Sequence, residues 1–173
     1  MKRIPDSLND EQRNRTQDVG HQAKVYAARM RLQNAVDQAD ALDAIQEIAG
    51  NLIGSEEIAV FKVDKKRPEL WLYWSSGVDP NKHPILEVQR EPNLKQVLQG
   101  KTIFRPPQSK RNLLSTGDPV NALIPVIVNG TVCAVIVLFR LFAHKLEMDA
   151  VDADICEVLS SCAGRLVEPY HAC

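Results

Sequence analysis

The chain has no excess of charge of either sign. Lys+Arg 21 against Asp+Glu 22 leaves a formal net charge of −1, which gives no global pull towards nucleic acid or an anionic membrane. It also lacks a long apolar run. Val132–Phe139 is the longest, far short of the ~20 residues that span a bilayer. The basic N-terminus, MKRIPDSLNDEQRNR, has no apolar segment behind it to make a secretory signal. A soluble, cytoplasmic protein is the expectation. Cysteine is scarce: Cys133, Cys156, Cys162 and Cys173 form no CxxC pair and have no histidine at zinc-ligand spacing, so a structural metal site is not expected and reduced thiols account for all four. Cys133 reads as a small buried hydrophobe, and the terminal Cys173 as a mobile residue. A Gly-rich phosphate loop, HExxH, GxSxG and paired carboxylates are all missing. No catalytic residue is assigned, no cofactor is called for, and an enzyme is not expected.

What remains is ordinary globular composition. Hydrophobic residues at 45% and charged residues at 25% over 173 residues fit one domain with an extension. The most informative stretch is Val120–Leu141, VNALIPVIVNGTVCAVIVLFRL. Two Val/Ile-rich runs flank Asn129-Gly130, the dipeptide that best tolerates the positive φ angles of a type I′ hairpin turn. Both runs are nearly continuous rather than alternating, which predicts strands of a sheet covered on both faces.

Residues 1–10 read as disordered. From Asp10 to Asp40 a polar, proline-free stretch carries Val25, Ala28, Leu32, Ala35, Ala39 and Leu42 at 3-4-3-4-3 spacing, the narrow stripe of a helix that pairs with another helix. We take residues 1–40 as a flexible N-terminus with a dimerisation helix, and 41–173 as the domain. Asp40 can cap a helix over Ala41–Ile53 that ends at Gly54. Ile58–Asp64 and Leu70–Ser75 read as strands around the polar loop Lys65–Pro68. Pro84–Leu86 looks irregular or briefly extended, Pro92–Leu98 a short helix, and Thr102–Phe104 a short strand. Arg105–Pro119 is a long loop of the kind that forms a lid. Asp149–Val167 forms a C-terminal helix.

Three segments together, LDAIQEIAGNLIGSEEIAVFKVD, LKQVLQGKTIF and ALIPVIVNGTVCAVIVLF, resemble the GAF domain family of small-molecule sensor and regulatory domains from about Ala41 to Val167. The resemblance implies an α+β sandwich of GAF/PAS type: an antiparallel sheet of about six strands with the N- and C-terminal helices on one face. A ligand pocket would lie on the other face, beneath the short helix and variable loop. Under that arrangement Ala59 and Phe61 face the pocket and Val60 the helices. Trp71, Tyr73 and Ser75 share the pocket face, Leu70, Leu72 and Trp74 lie opposite, and Phe104 and Arg105 complete the lining. Several specialised members are a poor match. The Asn-Lys, Phe and Asp-Glu set of cyclic-nucleotide binders is absent around FRLFAHKLEMD. No Cys precedes Val132, as a bilin site would need. The cysteines also do not lie on the pocket loops used by the free methionine sulfoxide reductase subset.

Among single residues, His83 and His144 have no second ligand in sequence and read as solvated loop histidines. Arg105, Lys110 and Arg111 form a basic group on the lid that would clamp an anion or remain solvated. The expectation is a non-catalytic regulatory, sensory or adaptor domain in signal transduction, homodimeric, with room to bind a small ligand, and signalling to a separate protein partner. The alternatives are a free methionine sulfoxide reductase-like enzyme and a PAS- or roadblock-like scaffold without ligand.

Overall fold

The computed structural model describes residues 6–106 and 112–167. The expectations for residues 1–5, for Lys110 and Arg111, and for Cys173 lie outside them. The N-terminal stretch forms two helices, with the break between them earlier than expected: α1 (Asp6–Gln33), which takes in residues 6–10, and α2 (Gln38–Glu47). The break follows from Asp37. Its backbone is extended (φ −148°) and its carboxylate accepts the Asp40 N–H at 2.9 Å, an N-cap. Asp40, the expected cap, instead accepts the Val36 N–H at 2.9 Å and pairs with Arg31 at 2.8 Å.

That break redistributes the 3-4 stripe. Val25, Ala28 and Leu32 lie on α1, Ala35 in the joint, and Ala39 and Leu42 on α2. Ala28, Leu32 and Ala35 are fully buried, Val25 and Leu42 pack against the same core, and Ala39 is exposed. The stripe expected to meet a second copy is thus occupied within the chain, where α1 packs on α4 (Ala150–Cys162). Small residues suit that use, because alanine lets two helices approach closely.

α2 continues into a π-helical segment, Ile48–Ile53, that ends at Gly54. The strands are β1 (Ser55–Val63), β2 (Glu69–Ser76), β3 (Ile85–Glu87), β4 (Asn112–Leu113), β5 (Pro119–Val120), β6 (Ala122–Val128) and β7 (Thr131–Leu141), with α3 (Pro92–Gly100) between β3 and β4. The main sheet is antiparallel with five strands in the order β3-β2-β1-β7-β6, and β4–β5 make a separate ribbon inside the predicted lid loop. Thr102–Phe104 contributes only a bridge, Phe104 to Leu123. At the β6–β7 turn Asn129 (φ 50°) and Gly130 (φ 76°) both have positive φ, as a type I′ turn requires.

The sheet is covered on both faces, which explains the continuous apolar runs. Ile58 and Val60 of β1, Ile124 of β6 and Ile136 of β7 pack with Ile45, Ile48, Ile155 and Leu159 of the helix layer. Their strand neighbours Phe61, Leu123, Val137 and Phe139 pack with Leu94 and Val97 of α3, with Leu114 of the lid and with Val120 of β5. Each large side chain so buried contributes about 1.5–3 kcal/mol. Pro125 is tolerated because β6 is an edge strand, and Ser160 of α4 donates to its carbonyl at 2.5 Å. A 3-10 turn, Ala163–Val167, ends the described chain.

Candidate functional site

The face opposite the helices carries a buried polar latch. After the strand pair β1–β2, Asp79 accepts the Asn81 N–H at 2.9 Å, and Lys82 N–H donates to Asp79 O at 3.1 Å. This side-chain-closed turn reverses the chain and sends His83 inward. His83 is only 2% exposed and stacks on Phe139 of β7, with ring centroids 5.2 Å apart and planes at 21°. Its Nε2 lies 3.0 Å from Asp118 Oδ2, and its Nδ1 lies 3.5 Å from Thr116 Oγ1. The expectation of a solvated histidine is therefore corrected: an aromatic floor and a carboxylate partner make burial of this ring favourable.

A second contact lies beside it. Glu91, also buried, precedes α3 but makes no side-chain cap to that helix. Its carboxylate instead accepts the Ser115 backbone N–H at 2.8 Å and the Ser115 hydroxyl at 2.5 Å. The turn that joins β4 to β5 is closed by Leu114 N–H to Asp118 O (2.9 Å) and Gly117 N–H to Leu114 O (2.8 Å). One turn, 114–118, is thus fastened to the body at two independent polar points, with Leu114 as an apolar plug beneath it. Its charged and hydroxyl groups are paired with one another. Among the described residues no group of three His, Cys, Asp or Glu is arranged to hold a metal ion.

The expected pocket residues divide between the two faces. Phe61 is buried on the lid face, Phe104 packs on the same core, and Ser75, paired with Ala59, donates to Val78 O at 3.3 Å. Trp71 and Tyr73 lie on the other face. The pairing Val60–Trp74 shifts to Phe61–Leu72, so a β-bulge leaves Tyr73 as the extra residue. Leu70 and Leu72 consequently join the lid-side core, and Trp74 packs with the helix layer. Trp71 pairs with Lys62, whose Nζ sits 3.6 Å over the Tyr73 ring. Arg105 is also turned away: Ile103 packs on the helix side and Phe104 on the lid side, and the Arg105 charge acts on Cys156 of α4.

Sequence reasoning missed His83, Glu91, Ser115, Thr116, Asp118 and Phe139 as a group. Two signals were available: Asp79-Pro80-Asn81, which forces the turn before His83, and Leu113-Leu114, an apolar pair inside a polar loop. His144, by contrast, is exposed and stacks on Phe142. Cys156 is buried in the helix layer, and burial pushes its thiol up to about 12. Cys162 is half-buried on α4, and Cys133 is buried on β7 with its thiol 3.7 Å from Thr131 O.

No family model matches the chain, and no curated protein does. Solved structures do. The GAF domain of an Acinetobacter phosphoenolpyruvate-protein phosphotransferase aligns with TM-score 0.61 at 14% identity, covering 84% of this chain and 91% of that one. The A. aeolicus nlh2 GAF domain in an inactive state aligns with TM-score 0.60 at 18% identity, covering 86% and 96%. A free methionine-R-sulfoxide reductase from Neisseria meningitidis, in complex with its substrate, aligns with TM-score 0.58 at 12% identity, covering 84% and 85%. The chain has the GAF fold: an α+β sandwich with terminal helices on one face of an antiparallel sheet.

Proposed function

We propose that this GAF-fold chain is a non-catalytic regulatory domain. On this reading it acts in the cytoplasm as a homodimer, takes a small ligand on the lid face, and passes the signal to a separate protein partner. The observation that carries the reading is the double latch of His83–Asp118 and Glu91–Ser115. Buried polar groups are costly unless paired. A short turn held by a few such pairs, rather than by continuous strand pairing, can therefore be released by a ligand that supplies equivalent hydrogen bonds. The aromatic floor of Phe61 and Phe139 would then meet an apolar part of that ligand.

The enzyme reading has one observation in its favour, the reductases among the structural neighbours. Against it, thiol chemistry needs a thiolate at the lid face. Cys156 is held as the thiol and lies beyond the sheet with Cys162. A scaffold without ligand is favoured by the filled lid-side core. A thermal-shift screen of small metabolites on the native chain and on His83→Ala, run beside a free methionine sulfoxide assay, separates the three. The regulatory reading expects ligands that raise Tm in the native chain and no sulfoxide turnover. Turnover abolished by Cys133→Ser would establish the enzyme, and no shift with any compound in either chain would establish the scaffold.

A further inference from the structure

The helices cover β1, β6 and β7 but leave the same side of β2 and β3 largely bare. Trp71 pairs with Ile85 across β2–β3 and with Lys62 across β1–β2, so these three side chains share that side, with Tyr73 under Lys62. Trp71 is 44%, Tyr73 39% and Ile85 36% exposed, the one place among the described residues where exposed large hydrophobics from adjacent strands meet. Trp and Tyr are the side chains that most often anchor protein–protein contacts.

Charge is polarised along this face. At one end the β1–β2 turn presents exposed Lys65, Lys66 and Arg67. Three carboxylates stand beside them: Asp64, tied to the Lys66 and Arg67 N–H groups, and Glu69 and Glu87, which pair across β2–β3 on the side of Trp71 and Ile85. Glu87 is matched by Arg90 at 3.0 Å, so four cations face three carboxylates and the end stays weakly basic. At the other end a groove of about 590 Å³ between α2 and the start of β1 is lined by Asp43, Glu47 and Glu56. Arg31 is shared by Asp40 and Glu47, and Arg140 by Glu56 and Glu57. With Asp43, five carboxylates share two guanidiniums there, and the end stays acidic. At roughly 3.3 Å per residue, the basic tip and the acidic groove each lie about 10–20 Å from Tyr73, on opposite sides of it.

A face with an aromatic centre, a basic end and an acidic end at similar distances complements itself when turned by half a rotation. We propose that a second copy of this chain docks on the β2–β3 face, antiparallel, about a two-fold axis through Tyr73. Each basic tip then enters the partner's acidic groove, and the Trp71 and Tyr73 rings of the two copies meet at the axis. The inference rests on the dimeric part of the reading above and moves the contact from the terminal helices to the sheet.

Sedimentation equilibrium of the full chain over a micromolar concentration series tests it, with circular dichroism confirming that each variant is folded. The native chain should dimerise reversibly, more weakly at high salt. Trp71→Ala with Tyr73→Ala should raise Kd at least about tenfold. Lys66→Glu with Arg67→Glu should also weaken the dimer, and adding Asp43→Lys and Glu56→Lys in the same chain should restore it, which a mere folding defect would not. A dimer indifferent to all of these changes overturns the proposed face while leaving a dimer in place. A chain that stays monomeric at every concentration overturns the dimer itself.

Discussion

Replacing His83 by Ala probes the latch where its parts can be counted. The imidazole is almost fully buried, lies on Phe139 and faces Asp118 at 3.0 Å. Losing the ring stack removes about 0.5–1.5 kcal/mol. A hydrogen bond to a charged group is worth about 1.5–3 kcal/mol. The Asp118 side chain is 34% exposed, so water partly replaces the lost partner and the lower end of that range applies. The sum is about 2–3 kcal/mol. With a urea m-value of about 2 kcal/mol/M, the middle of the usual range, the midpoint should fall by roughly 1–1.5 M. Asp118→Asn still accepts from Nε2 and should cost about 1 kcal/mol or less. Equilibrium urea unfolding of the three chains gives these numbers. A His83→Ala midpoint equal to that of the native chain would refute the reasoning, because the ring would then hold nothing in place.

Three further outcomes follow from local geometry. Gly77→Ala should destabilise by more than about 2 kcal/mol in thermal or urea unfolding: φ is +72°, and a Cβ would stand 2.2 Å from Glu56 O, a backbone atom that cannot yield cheaply. Burial pushes the Asp149 carboxyl up, but the Asp152 N–H and the Lys145 charge outweigh it, and the net shift is downward. Its stabilising effect is therefore present above the ordinary carboxylate range and is lost as pH falls through the lowered folded value. Asp149→Ala should cost about 1 kcal/mol near pH 7, and the gap to the native chain should close in acid. A thiol reagent at pH 8 should modify Cys162 promptly and Cys156 only upon unfolding, since burial holds the latter as a thiol; rapid native labelling of Cys156→Ser and the native chain to different extents would contradict this.

The sheet and its two covered faces were legible because strand composition encodes them directly. Continuous Val/Ile runs at 122–128 and 131–141 are what two apolar faces demand, and Asn129-Gly130 fixes the turn between them. The faces of β2 were misread for one reason: alternation assumes an unbroken ladder, and the bulge at Tyr73 reverses the assignment of every residue on one side of it. The helix stripe is ambiguous for a different reason. Its spacing is correct for helix pairing, but spacing does not say whether the mate is α4 of the same chain or another copy. The latch was the least visible feature. His83, Glu91 and the 115–118 turn come from three loops, and their meeting depends on tertiary distances that no local pattern carries.

Native-state hydrogen exchange at Ser115 tests most directly the central claim, a lid turn that opens on a fixed sheet. The Ser115 N–H is held only by Glu91, whereas Val135 and Val137 lie within the paired strands of β7. Ser115 should exchange by local opening, at least about 2 kcal/mol below the β7 amides, and His83→Ala should widen this gap. Exchange of Ser115 only in step with Val135 and Val137, through global unfolding, would contradict it.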